Sequence, residues 1–363
     1  MKVFSLVRQP VRFAALAALS ISAVACSAPT TDGPTASGAA QSGGEASGST
    51  VSLSGAGASF PAPLYQRWFS EYQKVDPSVQ VSYQSVGSGA GVEQFLAGTV
   101  DFGATDSPLK DEEKTKAQEK YTAPAIQLPL TAGSVVFAFN LPGVEALKLS
   151  REAYCGIVTG KVSKWNDPLI AKGNDGATLP DKEIGFVYRS DGSGTTSVFT
   201  KHLAEACPDW TLEPGKSVEW TVGSGAKGNE GITAQVQQTE GAVGYVEYAY
   251  AKQNGLSMAA IENKSGSFIE AGPEAGGLAF EGAELPEDFA LSVADPENAG
   301  AYPITSLTWI LLKPKYDDPT KTEALKKVLT WALNDGQAFS EELGYVAMPP
   351  SVKAKVEEAI GKL

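Results

Sequence analysis

The chain has 363 residues, of which 42% are hydrophobic and 20% charged. This composition is typical of a globular protein with one large or two ordinary domains, and it excludes collagen, coiled coils and a chain disordered throughout. With 29 Lys and Arg against 42 Asp and Glu, the net charge is −13, which excludes a broad nucleic-acid surface. One histidine and three cysteines leave almost nothing for zinc, so the sequence predicts no metal and no cofactor.

Residues 1–25 are typical of a secretory signal peptide. Lys2, Arg8 and Arg12 form a positive start, and the apolar run of residues 13–25 is too short for a membrane span. Their removal lowers the net charge from −13 to −16. Taken alone, this acidity also argues against an electrostatic trap for anions.

Cys26 directly follows the signal peptide. The sequence Ala23-Val-Ala25 fits ordinary cleavage, and together with Cys26 it resembles a bacterial lipobox, although Ala23 replaces the usual leucine. Residues 26–50 are mostly Ser, Thr, Gly, Ala and Pro, which is typical of a flexible tether. We therefore expect a lipidated Cys26 that anchors the chain, the alternative being a disordered mature N-terminus with an unmodified cysteine.

Lipidation of Cys26 would leave Cys155 and Cys207 as an even pair. In an oxidising compartment these two residues are expected to form a disulfide. Closing a loop of this length would contribute roughly 4 kcal/mol in the chain-entropy model, provided that the two Cα atoms lie within reach.

Strand and helix patterns alternate along the rest of the chain, which predicts an α/β architecture. The predicted strands are 51–54, 79–83, 100–103, 134–140, 184–188, 243–246 and 307–313. Helices are predicted after residues 61, 91 and 195, over 111–120 and over 320–334, and loops dominate residues 265–300.

Ser59, Ser88 and Ser193 each lie in a glycine-rich turn at a predicted helix start. A helix N-terminus offers unpaired N–H donors and a partial positive charge, and glycine lets the backbone approach a ligand closely. Three such turns would together bind an anion without a net positive charge. The alternative for each serine is that it only caps its own helix.

Three charged residues accompany these turns. Arg189 can give an oxyanion two parallel hydrogen bonds, and Asp191 is placed to hold its guanidinium, although a surface ion pair is the simpler alternative. Asp106 would repel a fully ionised anion, so its presence makes sense only if the ligand carries a proton to donate.

Five motifs resemble the phosphate-binding protein family of bacterial high-affinity phosphate ABC transporters. They are GAGASFPAP (55–63), VDFGATDSPL (100–109), RSDGSGT (189–195), GAVGYVEYAYA (241–251) and PITS (303–306). The resemblance spans residues 51–355 and implies a two-lobed, type II venus-flytrap fold in which each lobe is a mixed sheet flanked by helices. Lobe I would comprise residues 51–132 and 303–363, and lobe II residues 133–302.

The resemblance also implies the ligand contacts. The positions that match the family's phosphate ligands are Ser59, Phe60, Ser88, Asp106, Arg189, Asp191, Ser193, Gly194 and Thr195. Ser59 replaces the usual threonine and keeps the hydroxyl donor. In this scheme Asp106 accepts the phosphate proton. Sulfate has no proton at neutral pH, so it would leave Asp106 unpaired and be rejected by several kcal/mol.

The resemblance predicts a protein that captures inorganic phosphate outside the cytoplasm and passes it to membrane permease subunits. It would act as a monomer held at the cell membrane by a lipid anchor, with no enzyme activity and no nucleic-acid partner. The −16 charge does not oppose this, because local dipoles, neutral donors and one arginine suffice to bind an anion.

Three alternatives on the same scaffold are a phosphate-ester hydrolase, another oxyanion-binding protein and a surface adhesin. The nucleophile elbow of serine hydrolases has the sequence Gly-x-Ser-x-Gly, and Ser193 does not fit it because residue 191 is Asp. His202 is predicted to face away from the cleft. Residues 215–217 lack the first glycine of a P-loop, and GSGAKG (223–228) is a weak dinucleotide signal.

Overall fold

The computed structural model describes residues 50–363. The predicted signal peptide, Cys26 and nearly all of the predicted tether lie outside the described residues. Across residues 50–363, none of the helices has both the length and the apolar character needed to cross a membrane.

Strands and helices alternate through most of the described chain, as the sequence predicts. The strands are β1 (Val51–Gly57), β2 (Val79–Ser85), β3 (Phe102–Thr105), β4 (Ile126–Phe139), β5 (Lys148–Leu149), β6 (Gly185–Arg189), β7 (Ser224–Ala226), β8 (Ala242–Glu247), β9 (Ser257–Met258), β10 (Ala260–Glu262), β11 (Phe268–Ile269) and β12 (Thr305–Leu312). The helices are α1 (Ala62–Val75), α2 (Ser88–Ala97), α3 (Asp111–Tyr121), α4 (Arg151–Thr159), α5 (Pro168–Ala171), α6 (Gly194–Ala206), α7 (Gly228–Gln238), α8 (Tyr248–Gln253), α9 (Pro273–Gly277), α10 (Pro319–Leu333), α11 (Gln337–Leu343) and α12 (Pro350–Gly361).

One mixed sheet runs through the molecule in the order β2-β1-β3-β12-β4-β8-β6-β7, with β9 also paired to β4. Strand β4 belongs to both halves of this sheet. Its first part, residues 126–134, pairs with β12, and its second part, residues 135–139, pairs with β8. We call β1, β2, β3 and β12 the first half of the sheet, and β6, β7 and β8 the second half.

Strand β4 begins eight residues earlier than the predicted strand at 134–140. Pro129 interrupts the strand pattern because proline cannot donate a ladder hydrogen bond. The structure accommodates it at an irregularity where Thr308 and Trp309 face Thr131 and Pro129, so that Leu130 is passed over.

Parallel strands bring four helix starts to the same region. β1 pairs parallel with β2 and β3, and β6 pairs parallel with β7 and β8. Helices α1, α2, α6 and α7 follow β1, β2, β6 and β7 directly. In open α/β sheets the carboxyl ends of the strands are where ligands bind. The fold therefore directs these helix N-termini toward one cleft.

The cysteines of α4 and of the end of α6 are joined in the structure. Cys155 and Cys207 form a disulfide, with their Cα atoms 5.5 Å apart. Both residues are buried, and Sγ of Cys155 lies 3.9 Å from the carbonyl oxygen of Ala206. The bond ties the end of α6 to α4.

A candidate oxyanion-binding site

The first turn of α2 and the turn that precedes α6 pack directly against each other. The amide of Gly89 donates to the carbonyl of Gly192 at 2.8 Å, which joins the first half of the molecule to the second. A Cβ atom on Gly194 would overlap Ser88 and Asp106, and one on Gly87 would overlap Asp191. Glycine is required at both positions because an added Cβ would lie 2.5 Å or less from these polar side chains.

Arg189 is held rigidly at the second half of the cleft. Its Nε and Nη2 donate to the two carboxylate oxygens of Asp191 at 2.8 and 2.6 Å. Its Nη1 donates to Oγ1 of Thr195 at 3.3 Å, and the side chain is only 1% exposed. Burial alone would raise the pKa of Asp191, but hydrogen bonds and charge from Arg189 hold it below its usual value. Arg189 and Asp191 therefore form a fixed, charged pair rather than a solvated surface pair.

Asp106 lies opposite, at the end of β3, and is 1% exposed. Its Oδ1 accepts a hydrogen bond from Oγ1 of Thr308 at 2.9 Å, and its Oδ2 lies 3.3 Å from Oγ of Ser88. Burial raises the pKa of Asp106 to about 7, against the opposing effects of Thr308 and Arg189. A carboxyl group with this pKa changes its protonation state near neutral pH.

The three predicted serines play different local roles. Oγ of Ser193 accepts from the amide of Thr196 at 3.0 Å, so this serine does cap its own helix. Ser59 and Ser88 make no such cap, because α1 is preceded by Pro61 and α2 by Gly87. All three are at most 1% exposed. The capping alternative therefore holds for Ser193 alone.

The backbone around Ser59 and Phe60 is anchored by two tyrosines. Oη of Tyr250 donates to the carbonyl of Ser59, and Oη of Tyr345 donates to the carbonyl of Phe60, both at 2.7 Å. With their carbonyls engaged, these residues keep a fixed orientation at the start of α1. Gly194 and Thr195, the first residues of α6, have amides that no acceptor within that helix can reach.

Comparisons with known proteins identify the family. A sequence profile described as "PBP superfamily domain" matches residues 38–335. The chain is 42% identical to "Phosphate-binding protein PstS" of Pasteurella multocida over 84% of this chain and 89% of that protein. It is 40% identical to the protein of the same name from Haemophilus influenzae, over 84% of this chain and 91% of that one. The chain belongs to the phosphate-binding protein family.

A solved structure supports the fold assignment. The high affinity periplasmic phosphate-binding protein PfluDING, solved with bound phosphate, superposes with a TM-score of 0.72 at 23% identity. The match covers 85% of this chain and 93% of that one. The chain thus has the two-lobed α/β fold that its motifs predict.

Sequence reasoning missed Asn229, a side chain at the centre of the site. Asn229 is fully buried, and its Nδ2 donates to Oγ of Ser59 at 2.9 Å and to Oγ1 of Thr195 at 3.2 Å. Its own amide N–H donates to Oγ of Ser59 at 3.1 Å. The available signal was the glycine-rich stretch 223–228, which contains β7 and its connection to α7, a fourth strand-to-helix connection.

Thr308 was also missed. It lies on β12, two residues beyond the PITS motif, and its hydroxyl donates to Asp106. Because β12 lies beside β3 only in the folded sheet, nothing local in the sequence places Thr308 against residue 106.

His202 does not join the site. Its Nε2 lies 3.1 Å from Oη of Tyr154, and the ring is 1% exposed. Burial lowers the pKa of His202 to about 4, so the ring is neutral at physiological pH. His202 lies about two helical turns beyond Ser193 along α6. Within residues 50–363, no group of three His, Cys, Asp or Glu side chains is placed to hold a metal ion.

Proposed function

We propose that this protein captures inorganic phosphate in the cleft and delivers it to an ABC importer. The observation that carries the proposal is that one buried site contains both groups that attract an anion and a carboxylate. A clamped Arg189 and helix-start donors favour an anion, while Asp106, facing them, favours a ligand that still carries a proton. Phosphate meets both requirements near neutral pH.

We propose the nine positions predicted from the family motifs as the phosphate contacts. Hydroxyls at Ser59, Ser88, Ser193 and Thr195 and the amides of Phe60, Gly194 and Thr195 would donate to phosphate oxygens. Arg189 would supply two charge-assisted bonds, oriented by Asp191. Asp106 would accept the phosphate proton. Sulfate would leave Asp106 either repelling the ligand or forced to take up a proton.

The proposed cycle is a hinge motion between two lobes, residues 51–132 with 303–363 and residues 133–302. Two contacts between these lobes support it. Nζ of Lys216 lies 2.7 Å from Oε1 of Glu113, with both side chains at most 20% exposed, and Ser85 donates to Glu230 at 2.7 Å. These contacts would form on closure and break on opening. The closed monomer would then dock on membrane permease subunits.

The proposed location is outside the cytoplasm. The relatives named above are phosphate-binding proteins, and residues 1–25 are typical of a secretory signal. We propose that Cys26 is lipidated and that residues 27–50 tether the folded part to the membrane. Replacing Cys26 with alanine should release the protein from the membrane fraction, and continued membrane retention would contradict the anchor.

We propose that the protein has no enzyme activity. A phosphate-ester hydrolase using Ser193 would need a general base beside that hydroxyl, and His202 is hydrogen-bonded to Tyr154 instead. Oγ of Ser193 is engaged as a helix cap. The arrangement is thus suited to holding an anion rather than to attacking one.

Calorimetry on the mature protein, refolded after phosphate has been stripped from it, tests the proposal. Phosphate and arsenate, which both keep a proton, should bind, whereas sulfate should not compete at pH 8. The same preparation is incubated with a chromogenic phosphate ester. Failure to bind phosphate would overturn the proposal, and turnover of the ester without phosphate binding would favour the hydrolase.

A further inference from the structure

The two hydroxyls at the centre of the cleft, those of Ser59 and Thr195, are hydrogen-bonded to the same side chain. A hydroxyl has one hydrogen to donate and two lone pairs that accept. It turns toward whichever partners are present, so a hydroxyl near a ligand need not donate to it. What its lone pairs contact therefore decides what it offers to an anion.

The amide of Asn229 has only one possible orientation. Its Oδ1 accepts from the backbone N–H of Glu247 at 3.0 Å, and a backbone N–H cannot accept. Flipping the amide would place two donors against each other. The NH₂ group of Asn229 therefore points to Ser59 and Thr195, and it arrives there only as a donor.

This orientation fills the lone pairs of both hydroxyls. Oγ of Ser59 accepts from the backbone N–H and from Nδ2 of Asn229, at 3.1 and 2.9 Å. Oγ1 of Thr195 accepts from Nδ2 of Asn229 at 3.2 Å and from Nη1 of Arg189 at 3.3 Å. Each oxygen accepts two hydrogen bonds. The only hydrogen-bonding group that each hydroxyl has left is therefore its hydrogen.

We infer that Asn229 is a positioning residue that fixes the hydroxyls of Ser59 and Thr195 as hydrogen-bond donors toward the bound anion. The inference rests on the proposed phosphate site and adds to it a residue outside the nine proposed contacts. It also explains how neutral hydroxyls can serve an anion in a protein of net charge −13. Because Ser59 lies in the turn before α1 and Thr195 lies in α6, the same amide also links the two halves of the cleft.

The test is Asn229→Asp, which keeps the shape and replaces the donor with an acceptor. The hydroxyls of Ser59 and Thr195 would then turn toward the carboxylate, which also repels the ligand. We expect phosphate affinity at pH 8 to fall by about 100-fold, against about 10-fold for Asn229→Ala, which leaves the hydroxyls able to rotate. Calorimetry with inorganic phosphate measures both variants.

A pH series separates this role from a purely structural one. A buried carboxyl at position 229 should take up a proton as the pH falls from 8 to 5.5, and the protonated group donates again. The affinity of Asn229→Asp relative to wild type should therefore recover on acidification, while that of Asn229→Ala should not. The charged and titratable groups around this position are Arg189, Asp191, Asp106, Glu230, Glu247 and Tyr250. They are present in all variants, as is the ionisation of phosphate, so each variant is compared with wild type at the same pH.

Asn166→Asp is the matched control, because this asparagine is exposed and the change adds the same charge. It should bind phosphate like wild type. Equal weakening of Asn229→Asp and Asn229→Ala at every pH would overturn the inference, as would wild-type binding in either. Failure of the wild type itself to bind phosphate would instead overturn the proposed function, and the inference with it.

A double-mutant cycle decides the matter if Asn229→Asp does not fold. Ser59→Ala should weaken phosphate binding strongly in wild type and at least about fivefold less in the Asn229→Ala background. Additive losses in the two backgrounds would show that Asn229 does not act through Ser59.

Discussion

Asp191 and Asp106 are carboxylates of the same cleft that meet opposite environments. Asp191 faces the guanidinium of Arg189 through two hydrogen bonds, and its pKa lies below the usual value. Asp106 is deeper, is contacted by the hydroxyls of Thr308 and Ser88, and has a pKa raised to about 7. A carboxylate paired with a cation remains charged and orients that cation, whereas one whose pKa burial raises to about 7 can exchange a proton. The difference predicts separate roles. The Arg189–Asp191 pair should determine the affinity for the anion, and Asp106 should determine which anion is preferred.

Arg189→Ala should have the largest effect. It removes two charge-assisted bonds to the ligand and leaves Asp191 without its partner beside an anion. We expect phosphate affinity in calorimetry to fall by about 1,000-fold, or about 4 kcal/mol. Arg67→Ala, at an arginine whose side chain is 42% exposed, is the control and should bind normally. Unchanged affinity in Arg189→Ala, with the fold intact by circular dichroism, would contradict the site assignment.

Asp106→Asn should change selectivity more than affinity. An amide at this position can donate to sulfate, so the preference for phosphate over sulfate should drop by roughly 100-fold. Asp191→Asn sharpens the comparison. Because it loosens Arg189, it should lower the affinity for both anions by a similar factor of about ten. Competition binding with both anions measures the two ratios. If both variants changed selectivity alike, the separation of roles would be wrong.

Acidification should weaken the rejection of sulfate. The pKa of Asp106 is raised to about 7, so its protonated fraction grows as the pH falls through that value. Sulfate stays fully ionised over this range, and neutral Asp106 can donate to it. We expect sulfate affinity to rise about tenfold from pH 8 to pH 6. The rise should be absent in Asp106→Asn, and its persistence there would assign it to another group.

Replacing His202 should leave phosphate binding unchanged and alter only the free energy of unfolding. Its folded pKa of about 4 lies below the unfolded value of 6.5, so the unfolded chain binds more protons between those values. Stability should therefore fall as the pH drops from about 6.5 to 4, by up to about 3 kcal/mol from this residue. Urea unfolding of wild type and His202→Gln should show a shallower loss in the variant. Equal slopes would mean that His202 does not titrate on unfolding.

Local patterns sufficed to predict the longer strands, five of the helices and most of the residues that meet in the cleft. Glycine-rich turns between strand and helix identified Ser59, Ser88 and Ser193, and Arg189 and Asp191 lie within one such turn. The first part of β4 was missed because Pro129 breaks a strand pattern that the sheet tolerates at an irregular position.

Asn229 and Thr308 could not be assigned roles because their partners are distant in sequence. Asn229 contacts Ser59 across 170 residues, and Thr308 contacts Asp106 across 202. An asparagine at a helix start and a threonine on a strand are common residues in common places. Only the packing of α7 against the start of α1, and of β12 against β3, gives these two side chains a role in the site.

The sequence by itself determined the α/β class, the helix-start turns and the Arg189–Asp191 pair, because each depends on residues a few positions apart. The tertiary structure decided the protonation of Asp106 and the direction of the hydroxyls of Ser59 and Thr195. These properties depend on burial and on partners supplied by other strands and helices. A residue's charge and its hydrogen-bonding direction are set by what surrounds it, and the surroundings exist only after folding.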